Sequence, residues 1–234
     1  MGINITDVFG WTAATFSIIL YISPLPKYLQ LCKKQIRFNE APNVKILSNY
    51  ITGINWLIYA YKIKKLPFFI CYLVACFSSF IFITTFLFYI AKVKLLKVLI
   101  FILILFLYTL TMYLSLAVLN RNINMIGYIC IAFSFISFYY PITLIKNVIK
   151  YRNYKYIIPI KLCVVNLIVT TCWIIYGFMI VNFHIIIPNF IGMIFTFILM
   201  FIWKIFKKRK PISENSNFSF SISRNRPETT VNVI

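Results

Sequence analysis

Acidic side chains are scarce in this chain, which holds four of them in 234 residues against 24 Lys and Arg. Asp7, Glu40, Glu214 and Glu228 all lie outside the middle of any apolar run. A carboxylate at the bilayer midplane costs about 2.5 to 3.5 kcal/mol and is kept there only for function, as in the proton relays of carriers. A proton-coupled mechanism is therefore not expected.

Charged residues of either sign are also few. They make up 12% of the chain, whereas 62% of the residues are hydrophobic; soluble domains carry about a quarter charged and about half apolar residues. A soluble globular protein is thus excluded, and most of the surface must face lipid. The net charge of +20 does not indicate a nucleic-acid partner, because almost all cations lie between or just beyond apolar runs, where topology-setting charges belong.

The chain also lacks the patterns of a catalytic or metal site. Its six cysteines include no CxxC pair, and the single histidine, His184, offers no ligand spacing with them. The cysteines are therefore interpreted as small buried hydrophobic residues. No Ser/His/Asp, Cys/His or metal-ligand group of residues lies at one membrane depth. We therefore expect that the protein is not an enzyme and that it binds neither a metal nor a cofactor.

Seven apolar runs are long enough to cross a bilayer, since about 20 helical residues span its hydrocarbon core of about 30 Å. They lie near residues 7–30, 43–61, 67–90, 95–118, 124–146, 158–180 and 185–204. The polar, Ser/Asn-rich sequence that follows has too little apolar content to fold alone. We therefore predict an all-α membrane protein of seven transmembrane helices with a disordered cytosolic tail at 207–234.

Lys and Arg are distributed unevenly between the two sides of such a bundle. With the N-terminus outside, four of the 24 fall on the outer side and the other 20 on the cytosolic side. The four are Lys62, Lys64, Lys65 and Arg121. Cytosolic loops are the ones enriched in Lys and Arg, so the predicted topology is N-terminus outside and C-terminus cytosolic.

The first half of the chain repeats in the second half at an offset of 117 residues. Twelve identities fall within 50 positions, where composition alone would give roughly four. They include pairs of rare residue types: Gly10/Gly127, Pro24/Pro141, Pro42/Pro159 and Trp56/Trp173. Because the offset covers four helices, both copies enter the membrane in the same direction. We predict two parallel three-helix repeats, residues 1–92 and 120–206, joined by a linker helix at 93–119, with a substrate path between them.

Each unit carries two prolines spaced 18 residues apart. They are Pro24, Pro42, Pro141 and Pro159. Proline bends a helix at a fixed place because it removes a backbone donor and clashes with the preceding turn. It is also common in membrane helices, where neighbours satisfy the freed groups. The matched spacing favours hinges that let the units rock around a central site.

Trp56 and Trp173 each precede a tyrosine, Tyr59 or Tyr176, by three residues. Two interpretations remain open at this point. The tryptophans belong either to an interfacial aromatic belt or to a central site where their rings stack on the apolar face of a sugar.

Asn189, near the start of the last helix, is a further candidate. An amide buried in a membrane needs hydrogen-bond partners, and a hydroxyl-rich ligand can supply them. It follows Trp173 by 16 residues, and the same step from Trp56 ends at Tyr72. The first unit therefore has a phenol where the second has an amide.

Several segments resemble the SWEET (MtN3/saliva) sugar facilitators, over about residues 8–206. In the first half they are GWTAATFSIILYISPLPKYLQLCKKQ and NYITGINWLIYAY; in the second, which is the closer match, they include NLIVTTCWIIYGF and IPNFIGMIFTFIL. The resemblance implies passive, bidirectional transport of mono- or disaccharides by alternating access. It implies that the four prolines form the family's proline tetrad, that Trp173, Asn189 and Trp56 belong to the sugar pocket, and that Tyr59 and Tyr176 form the outer gate.

The chain departs from the family at the third helix, where members usually have an asparagine followed by glycine and this chain has Tyr72 and Leu73. The departure affects the substrate more than the fold. The expected partners are a sugar of the glucose, fructose or sucrose class and the lipid bilayer, with a homo-oligomer as a further option. The expected location is the plasma membrane, with an internal membrane as the alternative.

Two other functions are alternatives. A PQ-loop carrier for an amino acid or cystine shares the architecture, but it should show Pro-Gln pairs, and here Pro24 is followed by Leu25 and Pro141 by Ile142. A seven-helix receptor would lack the repeat and would usually carry an acidic-Arg pair after its third helix, where this chain has AKVK.

Overall fold

The computed structural model describes residues 4–33, 43–118, 122–151 and 159–207, and every regular element in these ranges is a helix. Helices suit a lipid-embedded chain because they satisfy each backbone polar group within one segment. In chain order they are α1 (Ile5–Ile22), α2 (Leu25–Cys32), α3 (Asn43–Ile63), α4 (Leu66–Val118), α5 (Ile123–Ser137), α6 (Tyr139–Tyr151), α7 (Ile160–Met179) and α8 (Phe183–Lys207).

Five stretches of the described chain are long and apolar enough to cross a membrane: Ile5–Cys32, Leu66–Phe88, Ile123–Lys150, Ile160–Met179 and Phe183–Lys207. The first combines α1 with α2, and the third combines α5 with α6. α3 has a sufficient length of 21 residues, but Asn49, Thr52 and Asn55 lower its hydropathy. These polar side chains are at least partly buried. α3 therefore exposes little polar side-chain surface to lipid.

The helical backbone of α4 reverses direction along its length. Cys76 and Tyr108 both reach the same turn of α3: a Cβ on Gly53 would lie 3.1 Å from Cys76 Sγ, and Tyr108 Oη lies 3.3 Å from the carbonyl oxygen of Ile51. A straight helix would separate Cys76 from Tyr108 by about 48 Å, at about 1.5 Å per residue. The chain therefore folds back between them, in agreement with separate spans at 67–90 and 95–118.

The helix boundaries follow the offset of 117 residues. α4 begins at Leu66 and α8 begins 117 residues later, at Phe183. The loops before α4 and α8 also correspond, because each contains one residue with a positive φ: Lys64 at 54° and Val181 at 52°. The backbone of the two units therefore corresponds through the loop that precedes the third helix of each.

The two units meet through pseudo-equivalent pairs of helices. α1 packs on α7, and α3 packs on α5. Because the units are parallel, the starts of α3 and α7 lie at one end of the bundle, called here the proline end. The ends of α3 and α7, with Tyr59 and Tyr176, lie at the other, called the tyrosine end. Which end faces the cytosol stays a prediction. Two further predictions, those for Pro42 and for residues 208–234 of the tail, lie outside the described residues.

Candidate functional site

A cavity of about 300 Å³ lies between the two units. Both units supply its walls, and many lining residues correspond under the offset of 117. The corresponding pairs include Ser17/Ser134, Asn49/Asn166, Trp56/Trp173 and Tyr72/Asn189. The cavity extends from the two tryptophans toward Lys45 and Pro141 at the proline end. It therefore occupies the predicted substrate path.

The two tryptophans are tied to the opposite unit by matching hydrogen bonds. Trp56 Nε1 donates to Ser134 Oγ at 3.0 Å, and Trp173 Nε1 donates to Ser17 Oγ at 3.0 Å. Each serine in turn donates to a carbonyl oxygen one turn earlier in its own helix. Trp56 is 3% exposed and Trp173 2%. An interfacial aromatic belt is therefore the wrong interpretation of this pair, because both indoles lie inside the bundle.

Aromatic side chains cover the indole of Trp56. The ring of Tyr72 stacks on it with centroids 5.9 Å apart and an interplanar angle of 20°. Phe68 meets the edges of both tryptophans, at 5.6 Å from Trp56 and 5.0 Å from Trp173. Tyr21 lies 6.5 Å from Tyr72. On the first unit's side, the cavity is thus narrowed by a packed aromatic cluster.

On the second unit's side, the cavity is lined by the amide of Asn189, at the position that Tyr72 occupies in the first unit. Its Nδ2 donates to the carbonyl oxygen of Ile185 at 2.8 Å, while no donor among the described residues is hydrogen-bonded to its Oδ1. The side chain lines the cavity and is partly exposed within it. The amide oxygen is therefore available to accept a hydrogen bond from a hydroxyl group of a ligand.

Polar side chains continue from the tryptophans toward the proline end. Asn166 Nδ2 donates to Thr196 Oγ1 at 2.6 Å. On the opposite wall, Ser137 Oγ lies 2.8 Å from the hydroxyls of both Ser48 and Thr52 and so joins α5 to α3. At the equivalent α1–α7 contact the three residues are Leu20, Val165 and Val169. The hydroxyl bridge thus joins the units on the α3–α5 side alone, while Asn166 and Thr196 keep the opposite wall polar.

The tyrosine end is closed by buried side chains. Tyr59 and Tyr176 are each 1% exposed. Asn182 Nδ2 donates to Tyr59 Oη at 2.8 Å, and His184 Nδ1 lies 3.3 Å from the same hydroxyl. These contacts join α3 of the first unit to the start of α8 in the second, so they hold the two units together across this end.

Within the described part of the chain, Tyr176 has no equivalent hydrogen-bond network and is held by packing. A Cβ on Gly10 would lie 2.8 Å from its ring and 3.3 Å from Pro67. Pro67 is the residue that corresponds to His184 under the offset. The first unit therefore presents an apolar ring where the second presents an imidazole, and the closure of this end is asymmetric.

The prolines lie where the helices are interrupted or begin. α1 ends at Ile22 and Pro24 caps α2; α5 ends at Ser137, with Pro141 in the first turn of α6. Pro159 is the N-cap of α7. The first helix of each unit is thus broken beside its proline, which is the geometry that a hinge requires. Movement at these breaks stays a prediction.

Several site residues were not identified from the sequence. Ser17, Ser134 and the pair Asn49/Asn166 are identities within the repeat, so the offset itself could have pointed to them. Asn182 carries no such signal, because Lys65 is its counterpart. The contact of His184 with Tyr59 depends on the fold and has no local signal in the sequence.

Comparison with known proteins gives one family. The family model described as a sugar efflux transporter for intercellular exchange matches residues 7–94 and 124–211, once in each half of the chain. The bidirectional sugar transporter SWEET14 of Arabidopsis thaliana is 28% identical over 210 residues, which cover 86% of this chain and 73% of that protein. The sugar transporter SWEET1 of Caenorhabditis elegans is 24% identical over 211 residues, covering 90% of this chain and 68% of that protein.

A solved structure has the same fold. The 3.7 Å structure of a eukaryotic SWEET transporter superposes with a TM-score of 0.75 at 16% identity, over 87% of this chain and 97% of that chain. Together with the two family matches, it confirms the predicted fold: an all-helical membrane protein built from two parallel three-helix repeats.

Proposed function

This chain belongs to the SWEET family of sugar transporters, and from that premise we propose that it carries mono- or disaccharides across a membrane, passively and in both directions, by alternating access. It is a multi-pass membrane protein, and the receptor and PQ-loop alternatives are not favoured. The observation that carries the proposal is the cavity between the units, with a hydroxyl-rich wall, two buried tryptophans and one closed end.

Sugar binding in this cavity follows from its chemistry. A pyranose presents hydroxyl groups at its rim and C–H groups on its faces, so it needs both hydrogen-bond partners and aromatic surface. Asn189 Oδ1 and the amide of Asn49 supply the first, while Trp173, Trp56 and Tyr72 supply the second. The aromatic cluster occupies the first unit's side, so Asn189 and Trp173 of the second unit carry most of the recognition.

Alternating access requires that one end opens as the other closes. In the conformation described, the tyrosine end is closed by Tyr59 and Tyr176. The helix breaks at Pro24 and Pro141 supply bending points toward the proline end, and the proposal gives Pro42 and Pro159 the same role at the heads of the second helices. The proline end is assigned to the cytosol and the tyrosine end to the outside, in accordance with the Lys and Arg distribution.

The proposal extends to the organisation of the chain. Residues 1–92 and 120–206 are the two moving units, 93–119 is the linker and 207–234 is the tail. The plasma membrane is the proposed location, and assembly into a homo-oligomer is part of the same proposal.

Uptake of labelled glucose, fructose and sucrose into proteoliposomes, with and without a proton ionophore, tests this function. We expect saturable uptake of at least one sugar that stops at equal concentrations inside and outside and is unchanged by the ionophore. Uphill accumulation that the ionophore abolishes would show proton coupling. Uptake no faster than in protein-free vesicles for all three sugars would reject sugar transport.

A further inference from the structure

Lys45 is the one charged residue among the described side chains that line the cavity. It lies at the proline end, on the third residue of α3, and its Nζ is 5.7 Å from the centroid of the Tyr140 ring. Asp7 is the one acid in the described part of the chain, and it lies in the first turn of α1 at the tyrosine end. The cavity therefore carries a positive charge that no described carboxylate balances.

The position of Lys45 is electrostatically unfavourable for a cation. The first turn of a helix bears the positive end of the helix dipole and favours anions. α7 begins at the same end of the bundle, at Ile160, and its N-cap residue Pro159 supplies no side-chain acceptor. The first turn of α7 lines the same cavity as Lys45 through Leu162. An ionisable residue that faces the interior of a membrane bundle is by default a candidate functional residue.

The neighbours of Lys45 are hydrogen-bonding groups that suit the rest of a sugar. Asn49 lies one turn further along α3, and residues four apart share a helix face. Its amide lines the cavity and has no hydrogen-bond partner among the described residues. Asn166 lines the opposite wall. At the position equivalent to Lys45 the second unit has Leu162, so the charge belongs to one wall alone.

We propose that Lys45 forms an anion subsite at the proline end of the cavity, and that a sugar bearing a carboxylate, of hexuronate size, is a substrate of this chain. The ammonium group pairs with the carboxylate, while Asn49 and the tryptophan end of the cavity receive the hydroxyl groups and the ring. This inference rests on the proposed sugar transport and names a substrate class for the same cavity.

The test uses the full-length protein in vesicles of phosphatidylcholine, with the membrane potential held at zero. Initial uptake of labelled glucuronate and of labelled glucose is measured for the native chain, for Lys45→Leu, which copies Leu162, and for Lys45→Gln and Lys45→Arg. Lys33→Leu is the matched control, since Lys33 is exposed at the same end and outside the cavity lining.

The native chain should take up glucuronate, and the ratio of glucuronate to glucose uptake should fall tenfold or more in Lys45→Leu and Lys45→Gln, equivalent to about 1.4 kcal/mol. Lys45→Arg and Lys33→Leu should keep the native ratio. Glucose uptake above that of protein-free vesicles verifies that each variant is folded.

The remaining outcomes separate the two proposals. Native uptake of glucose without glucuronate, or a ratio unchanged by loss of the Lys45 charge, would overturn the anion subsite and leave the sugar transport intact. Absence of glucose and glucuronate uptake by the native chain would reject the transport function itself.

A second series, with phosphatidylglycerol in the vesicles, tests a lipid headgroup as the occupant of the subsite. A lipid headgroup is the occupant if phosphatidylglycerol slows glucose uptake in the native chain but not in Lys45→Leu, and glucuronate is not carried. That result would overturn the proposal that a carboxylate sugar is a substrate.

Discussion

Trp173 donates its indole N–H to Ser17 across the interface between the two units, over 3.0 Å. Trp56 donates to Ser134 over the same distance, and the two bonds correspond under the offset of 117. Each bond runs from the second helix of one unit to the first helix of the other. Together they fix both indoles beside the cavity and hold the units in register.

Replacing either serine by alanine should weaken this contact. Ser17→Ala and Ser134→Ala each leave a buried indole N–H without its acceptor, and we expect a loss of about 0.5 to 2 kcal/mol in stability from each. The midpoint of thermal unfolding in detergent measures it. Thr15→Ala is the control, because the Thr15 hydroxyl bonds only to its own helix and is exposed. Equal losses in all three variants would contradict a special role for the Trp–Ser bonds.

Asn189→Ala should lower sugar transport more than it lowers stability. The Oδ1 atom of Asn189 is the acceptor left available in the cavity, and a hydrogen bond to a ligand hydroxyl contributes about 0.5 to 1.5 kcal/mol. We therefore expect kcat/KM for uptake to fall about threefold to tenfold with little change in the unfolding midpoint. Asn122→Ala, which removes only an exposed helix cap, is the control. Unaltered uptake in Asn189→Ala would remove this residue from the pocket.

Tyr59→Phe should favour opening of the tyrosine end. It removes the hydroxyl that contacts both Asn182 and His184, and loss of one such bond shifts a two-state equilibrium by about twofold to tenfold. The measurement is labelling of Thr52→Cys, in a background without the native cysteines, by a membrane-impermeant thiol reagent added at the tyrosine end. We expect labelling to accelerate by that factor.

Two further variants make this test specific. Asn182→Ala should accelerate labelling as Tyr59→Phe does, because it breaks the same contact. Tyr176→Phe should leave the rate near the native one, since the Tyr176 ring is held by packing against Gly10 and Pro67. If Tyr176→Phe accelerated labelling as much as Tyr59→Phe, the closure would be symmetric and the account of this end would be wrong.

Gly127→Ala should disturb the same end through sterics. A Cβ on Gly127 would collide with the His184 ring, so the ring must move, and overpacking of this kind typically costs about 1 to 3 kcal/mol. His184→Ala makes room, and the double variant should recover most of the loss in the unfolding midpoint. Gly192→Ala, where the nearest atom would lie at 3.6 Å, should cost nothing. Additive losses in the double variant would show that the collision is not the cause.

Much of the fold could be predicted because it depends on local and repeated sequence patterns. Apolar length predicts the spans, and the identities from Gly10/Gly127 to Tyr59/Tyr176 predict the parallel repeat. Pro24 and Pro141 predict the helix breaks. The asymmetry at Tyr72 and Asn189 could also be predicted, because the offset places the two residues at equivalent positions.

The site's contacts were less accessible to sequence reasoning. That Trp173 bonds to Ser17 depends on side-chain directions in helices 156 residues apart, which no local pattern encodes. The network of Asn182 and His184 depends on the loop before α8, whose counterpart in the first unit contains Lys65 and Pro67. Lys45 was counted among the topology-setting charges, because its sequence neighbours are those of a membrane flank and only the fold places it beside the cavity.

Glucose counterflow tests the central claim most directly. Proteoliposomes loaded with unlabelled glucose are diluted into a trace of labelled glucose, with no ion gradient and with ionophore present. An uncoupled carrier that alternates around one site should accumulate the label transiently above its outside concentration, since efflux of unlabelled sugar returns the site to the outside. The account predicts this overshoot in the native chain and a smaller one in Asn189→Ala. A native chain that equilibrates label without any overshoot would act as a pore, and that result would contradict it.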